Sequence, residues 1–226
     1  MLSRLTEKIN ELTQRARPWI PFTALNTVSK KINKDTQTLL DVGCGPGWPA
    51  RFFKRKQRYY IVGADIFKPY LVGCKKQRIH DDYIRCDIRN LPFQDRSFDT
   101  VVCMEVLEHL EREDGEKMLR AIERVARKQV ILSTPMGIYR QKPYDENPHQ
   151  EHKCIWTLAE MRNLGYLVRP LGLRDIGGRE GFIARLPGLL APLGDLIWVL
   201  AGPVVRFFPS LGGNMVCWKK TTLSSA

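Results

Sequence analysis

Leu39-Leu40-Asp41-Val42-Gly43-Cys44-Gly45-Pro46-Gly47 joins a short apolar run to an acidic residue and three glycines spaced two apart. A strand buried on both faces of a parallel sheet reads as such a run, and here it ends in a turn too tight for side chains. Glycine lets the backbone take positive φ and lie directly against a ligand. The spacing is G-x-G-x-G, not the G-x-G-x-x-G that seats a pyrophosphate on a helix N-terminus. Pro46 also removes an N–H that a phosphate cradle would use. The loop therefore favours a nucleoside ligand without phosphates and disfavours a dinucleotide oxidoreductase. Asp41 points the same way: a carboxylate repels a pyrophosphate but accepts from an ammonium group. A glycine-rich turn with no ligand is the plain alternative.

Outward from this loop, strands and helices alternate, which is the signature of a parallel sheet. Thr38–Val42 reads as strand one, Tyr59–Ala64 as strand two and Tyr83–Arg85 as strand three. Phe98–Met104 follows as strand four and Gln129–Ser133 as strand five, with two final strands at Tyr166–Leu173 and Asn214–Lys219. Helices are expected over Pro49–Lys56, along the apolar face Met118, Leu119, Ile122, Val125 and Ala126, and over Leu158–Leu164, which Gly165 closes. Upstream, Leu2, Leu5, Ile9, Leu12 and Ala16 predict a helix over 3–16, and a second short helix covers Thr23–Ile32. Residues 1–37 thus read as an N-terminal helical extension and 38–226 as the main domain.

In an open α/β sheet, ligands sit outside the carboxyl ends of the strands. Asp65 ends strand two and can accept from both hydroxyls of a ribose. Asp87 ends strand three and can receive an adenine amino group while Ile88 packs on the ring. A lone acid in such a place often caps a helix instead. Asp41, Asp65 and Asp87 at three successive strand ends are harder to set aside.

Taken in order, Asp41-Val-Gly43-Cys-Gly45-Pro-Gly47, then Gly63-Ala-Asp65, Cys86-Asp87-Ile88, Leu91-Pro92-Phe93 and Ser97-Phe98-Asp99 through Glu105-Val106-Leu107-Glu108-His109 resemble a known family. The chain looks like a class I S-adenosylmethionine-dependent methyltransferase of the methyltransferase type 11, ubiquinone-pathway kind. The resemblance covers residues 38–135 well and continues more weakly to about 170. It implies an α/β, Rossmann-like three-layer sandwich. Its seven-stranded, mostly parallel sheet would have the order 3-2-1-4-5-7-6 and an antiparallel last strand. It also implies S-adenosylmethionine as cofactor and S-adenosylhomocysteine as product. Gly43, Gly45 and Gly47 would pack on the methionyl part, Asp65 with Ile66 at the ribose, and Asp87 with Ile88 at the adenine. Met104 and Glu105 would flank the cofactor at the end of strand four.

A sulfonium methyl is already activated, so such an enzyme gains chiefly by aligning the nucleophile and excluding water. A hydroxyl nucleophile must still lose a proton. Amino-directed nucleic-acid enzymes of this class carry Asn/Asp-Pro-Pro-Tyr/Phe after strand four, where this chain has Met104-Glu105-Val106-Leu107. Nor is there a Pro-Cys nucleophile. On a helix, Glu105, Glu108 and His109 would share a face, and His149-Gln-Glu-His152 lies past strand five. This arrangement resembles metal-dependent O-methyltransferases of the ubiquinone-pathway and small-RNA 3′-terminal 2′-O types, in which a metal would bind the substrate hydroxyls. Many class I enzymes carry Glu-His here without a metal. No metal ligand is assigned from the sequence, and His109, His149 and His152 are the candidate bases. Tyr139, Tyr144 and Trp156 are candidate pocket walls.

The 226 residues suffice for one α/β domain, and a hydrophobic share of 43% argues against disorder. Six scattered cysteines without a C-x-x-C pair read as reduced, cytoplasmic thiols. Charges in Met1–Lys8 occupy the place where a signal peptide needs an apolar run. The net charge of +12 gathers at 54–58, 75–78 and 120–128 and fits an anionic partner or merely solvated helix faces; aromatics do not interleave. Residues 186–211 are strongly apolar, and Asp195 with several Pro and Gly residues counts against a membrane span. They read as a hydrophobic lid over the site or as a peripheral membrane contact. The expectation is therefore methylation, at oxygen, of a small or lipid-like molecule. The alternative is a metal-dependent RNA 2′-O-methyltransferase, with nucleic acid disfavoured as partner by the apolar segment and the lack of an RNA-binding module.

Overall fold

The computed structural model describes residues 20–56, 58–137, 145–174 and 191–221. Its helices are α1 (Ala24–Lys31), α2 (Trp48–Lys56), α3 (Lys68–Lys76), α4 (Arg112–Val125), α5 (Leu158–Asn163) and α6 (Ala191–Phe207). Its strands are β1 (Thr38–Val42), β2 (Tyr60–Asp65), β3 (Asp82–Arg85), β4 (Phe98–Met104), β5 (Ala126–Pro135), β6 (Leu167–Leu173) and β7 (Gly212–Lys220). They form one seven-stranded sheet of order β3-β2-β1-β4-β5-β7-β6. The strands from β1 to β5 run parallel, and β7 runs antiparallel to both β5 and β6.

Side chains alternate across the sheet, so each strand feeds two cores. Leu40, Val42, Val62, Val101, Cys103, Val130 and Leu132 face the core under α4 and Met161 of α5. Leu39, Ile61, Val102, Ile131 and Val216 face the other, with Val28 of α1, Phe52 and Phe53 of α2 and Cys74 of α3. The result is the three-layer sandwich expected from the sequence. Strand entry is pinned by Asp99, whose Oδ2 accepts from the backbone N–H of Gln37 at 2.9 Å and Thr38 at 3.1 Å. Burial works against the Asp99 charge. Those two donors, with Lys128 and Arg127, overcome it and hold the carboxyl at about 2. Thr157 and Glu160 make a reciprocal capping box at the start of α5, and Gly165, at φ +84°, follows its end.

Several elements differ from the sequence expectation, and Ala126, read as part of a helix face, opens β5 instead. β5 spans ten residues rather than Gln129–Ser133, because β4 and β7 offer it partners on both edges. α3 was not anticipated: only Leu71 and Cys74 of its nine residues are buried, too few to print a helical period. Within the apolar 186–211 segment, residues 191–207 form one 17-residue helix. The expected 3–16 helix, residues 186–190, Tyr139 and Tyr144 lie outside the described residues. No helix among the described residues is long and apolar enough to cross a membrane.

Candidate active site

The carboxyl ends of the parallel strands β1, β2, β4 and β5 lie along one edge of the sheet, the cleft side, and the glycine loop leaves β1 there. Gly43 takes φ +66° and Gly45 φ +50°. A Cβ on Gly43 would lie 2.5 Å from Val106 Cγ2, so packing requires this glycine. A Cβ on Gly45 would meet nothing within 4 Å; it would stand in open space. Gly45 therefore leaves bare backbone facing open space, the cradle that a closely seated ligand needs. Gly47 instead serves packing, with Ile79 2.8 Å from where its Cβ would stand.

Asp65 holds the loop in place. Its Oδ2 accepts from Gly45 N–H and its Oδ1 from Phe67 N–H, both at 2.8 Å. Burial raises the Asp65 pKa despite these donors, and a charge on His149 reaches it. Each Asp65 oxygen keeps a lone pair for a ligand hydroxyl. Ile66 follows directly, and its carbonyl accepts from Arg85 Nε at 3.1 Å. Asp87 is half-exposed and bound by Arg89, whose guanidinium also reaches Asp114 at 2.6 Å. Arg89 accordingly holds the Asp87 carboxyl below its ordinary value. Ile88, partly buried, packs against the core beside it.

Asp41 requires a correction. Its carboxylate does not face the cleft to meet an ammonium group; it is 1% exposed and pairs with His80 Nε2 at 3.0 Å. Gly63 permits this pair, since a Cβ there would lie 2.9 Å from the His80 ring. Burial alone would discharge His80, but Asp41 first and the Cys74 thiol after it, each by hydrogen bond and charge, reverse this and raise its pKa to about 9.

Past β4 the chain is not helical at Glu105, contrary to expectation. Glu105 takes φ +55°, and a single 3₁₀ turn covers Leu107–His109. The Glu105 carboxylate accepts from Ser133 Oγ and from Asn214 Nδ2, the latter at 3.0 Å. Met104, before it, is partly buried. Asn214 was missed from sequence; its signal was an amide at the head of an otherwise apolar strand.

Glu108 turns inward, 2% exposed, and accepts from Thr134 Oγ1 at 3.1 Å. Burial, with the charge of Glu105, pushes its carboxyl well above the ordinary range. His109 Nδ1 lies 3.0 Å from the Glu151 carbonyl, which can only accept, so the proton sits on Nδ1 and the lone pair on Nε2. Burial, reinforced by neighbouring His152 and Lys153, lowers the His109 pKa to about 4. The His109 and His152 rings meet edge to face at 4.9 Å. Ligand atoms of Glu108, His109 and His152 all fall within 4.8 Å of one another, a donor set of one oxygen and two nitrogens that fits a divalent cation. Glu105 is not in that group, because the left-handed turn carries it to the other side. His149 is not in it either; it is exposed and lies toward Asp65 and Asp87. Trp156 is no pocket wall: it is buried in the core under Arg112, 4.0 Å from its ring centroid.

Residues 40–134 match the methyltransferase domain family. Malonyl-[acyl-carrier protein] O-methyltransferase of Erwinia billingiae is 38% identical over 179 residues, covering 69% of this chain and 70% of that protein. Ubiquinone biosynthesis O-methyltransferase of Rickettsia bellii is 32% identical over 185 residues, 79% of this chain and 76% of its own. The human protein named "Probable tRNA methyltransferase 9B" is 32% identical over 129 residues, 56% of this chain, but the match spans only 27% of its length. Among solved structures, the Haloferax volcanii complex of a methyltransferase with the Trm112 activator superposes with a TM-score of 0.59 at 18% identity, covering 97% of each chain. The chain belongs to the class I S-adenosylmethionine-dependent methyltransferases.

Proposed function

We propose that this methyltransferase acts at oxygen on a small or lipid-like acceptor, by in-line methyl transfer. The observation that carries this reading is the Glu108–His109–His152 group, two of whose members follow directly on β4 at the edge of the sheet where the glycine loop follows β1. Bound S-adenosylmethionine supplies an electrophilic methyl group. The chain's own part is alignment and proton management. Gly45 backbone and Asp65 seat the nucleoside, and Asp87 with Ile88 receive the adenine. Glu105, held by Ser133 and Asn214, borders the reacting end. His109, kept neutral by burial, is the base that takes the proton of an acceptor hydroxyl. Where a divalent cation is present, Glu108, His109 and His152 would hold it, and it would lower the pKa of that hydroxyl.

The two relatives described above that are matched over two thirds of their length are named as O-methyltransferases, one of ubiquinone biosynthesis and one of malonyl-[acyl-carrier protein]. RNA is less favoured. The basic run at 120–128 is largely engaged by the protein's own acids, Arg124 by Asp95 at 2.7 Å, Arg127 by Asp99 at 3.0 Å and Lys128 by Asp35 at 2.8 Å. To test the reading, the full chain is incubated with methyl-labelled S-adenosylmethionine and either a lipid and small-molecule extract or total RNA. Label is expected in the extract, as base-labile or ether-type methyl; label in RNA alone overturns it. Repeating the assay in chelator, with and without added Mg²⁺, reports whether the Glu108 group works with a cation.

A further inference from the structure

α6 carries two apolar faces. Ala201 and Val205 are buried, and Gly202 sits so close to Phe22 that a Cβ would lie 2.6 Å from the ring. On the other side Leu196, Leu200, Val204 and Phe207 follow one another at helical spacing, and all four are exposed, Leu200 at 66% and Phe207 at 77%. Phe208 and Leu211 extend the strip beyond the helix. A surface helix of a globular domain turns charged and polar residues outward. This one turns leucine and phenylalanine outward, and a contiguous patch of that kind marks a contact surface.

Beside the strip runs a groove of about 360 Å³, lined by Arg162, Arg169, Arg206 and Trp218. Among the described residues, no carboxylate pairs with any of these three arginines. Lys31 adds a fourth cation, 3.9 Å from the Trp218 ring centroid. Burial, and after it the Arg169 charge, lower the Lys31 pKa. An apolar strip flanked by cations complements a surface with acyl chains below and phosphates above.

We propose that the α6 strip and the arginine groove form a docking face for an anionic phospholipid bilayer. Leu196, Leu200, Val204, Phe207, Phe208 and Leu211 enter the acyl boundary, while Arg169 and Arg206 meet the phosphates. The helix lies in the interface and does not cross it, as its 17 residues and interior Pro203 require. The chain runs from the strip into β7 at the carboxyl ends of β4 and β5: Gly212 abuts Met136 past β5, and Asn214 bonds Glu105. Docking therefore brings the cleft to the lipid surface. The inference goes beyond the acceptor reading and does not depend on it, since it is read by sedimentation rather than by methyl transfer.

The test is co-sedimentation of the full chain with phosphatidylcholine vesicles and with vesicles containing about a third phosphatidylglycerol. Binding is expected to the anionic vesicles and to weaken with salt. Arg169→Glu with Arg206→Glu should weaken it by roughly thirtyfold or more, at about a kcal/mol for each arginine removed. Leu200→Ser with Phe207→Ser should abolish it, while the melting temperature and the thermal shift induced by S-adenosylhomocysteine stay unchanged. A wild-type chain that stays in the supernatant overturns the proposal. So does binding that survives the serine substitutions, which would make it charge alone. A wild-type dimer that those substitutions convert to monomer also overturns it, because a second copy would then cover the strip.

Discussion

Two histidine–carboxylate pairs lie on either side of β1–β4, and they do opposite work. His80 and Asp41 are sealed beneath the glycine loop, 3.0 Å apart with almost no exposure, and the imidazole is held charged up to about 9. His109 and Glu108 stand at the end of β4, where burial without a close counter-ion lowers the imidazole to about 4 and raises the carboxyl. The same residue types become a structural ion pair in one place and a neutral, lone-pair-bearing site in the other. Geometry decides the outcome. Asp41 points its oxygen at His80 Nε2, whereas Glu108 points its oxygen at Thr134 and His109 at a backbone carbonyl. A sealed pair defends the fold, and an unpaired neutral imidazole at a cleft is available for chemistry.

Breaking the sealed pair should have the largest effect. Asp41→Asn leaves a buried imidazole without its counter-charge and should cost about 4 kcal/mol in chemical denaturation. The pH dependence separates this from a simple packing defect. A histidine whose folded pKa is raised contributes stability that is complete below about 6.5 and disappears as pH rises through about 9. Wild type should therefore lose melting temperature between pH 7 and 10, and Asp41→Asn should not show that decline. If Asp41→Asn keeps wild-type stability but loses S-adenosylhomocysteine affinity in calorimetry, Asp41 is a ligand group after all.

The open group should respond in the opposite sense. Glu108→Gln keeps the Thr134 hydrogen bond, so stability should hold within about 1 kcal/mol, while kcat falls on the order of a hundredfold. An unchanged kcat would remove the Glu108 group from the chemistry. The glycine loop sharpens the contrast with the smallest expected shift. Gly45→Ala places a methyl in the open cradle and should weaken S-adenosylhomocysteine about tenfold, with about 1 kcal/mol lost to the left-handed backbone. Gly43→Ala drives its Cβ into Val106 and should show the reverse balance, with stability falling more than affinity.

The sheet was legible because its coding is local. Val42 ends an apolar run before the glycines, and β1 and β4 fall on the residues read from sequence, Thr38–Val42 and Phe98–Met104. Helices with few buried residues left a weaker trace, as α3 shows. The cleft was legible only in outline: Asp65 at a strand end declared itself, but its two backbone donors did not.

From the sequence alone came the alternating strands and the glycine loop, because glycine spacing and strand periodicity act between near neighbours; the family resemblance carried by the ordered motifs implied the strand order and the edge where S-adenosylmethionine belongs. Only the tertiary structure decided what the charged groups face. Asp41 turned from a ligand group into the partner of His80, 39 residues away, and Glu105 found Asn214 at a separation of 109. His109 joined His152 and left His149 on the far side of the cleft. The apolar segment before β7 likewise resolved into one covered face and one bare face. Periodicity marks apolar positions along a helix, but only packing shows which of them the protein covers.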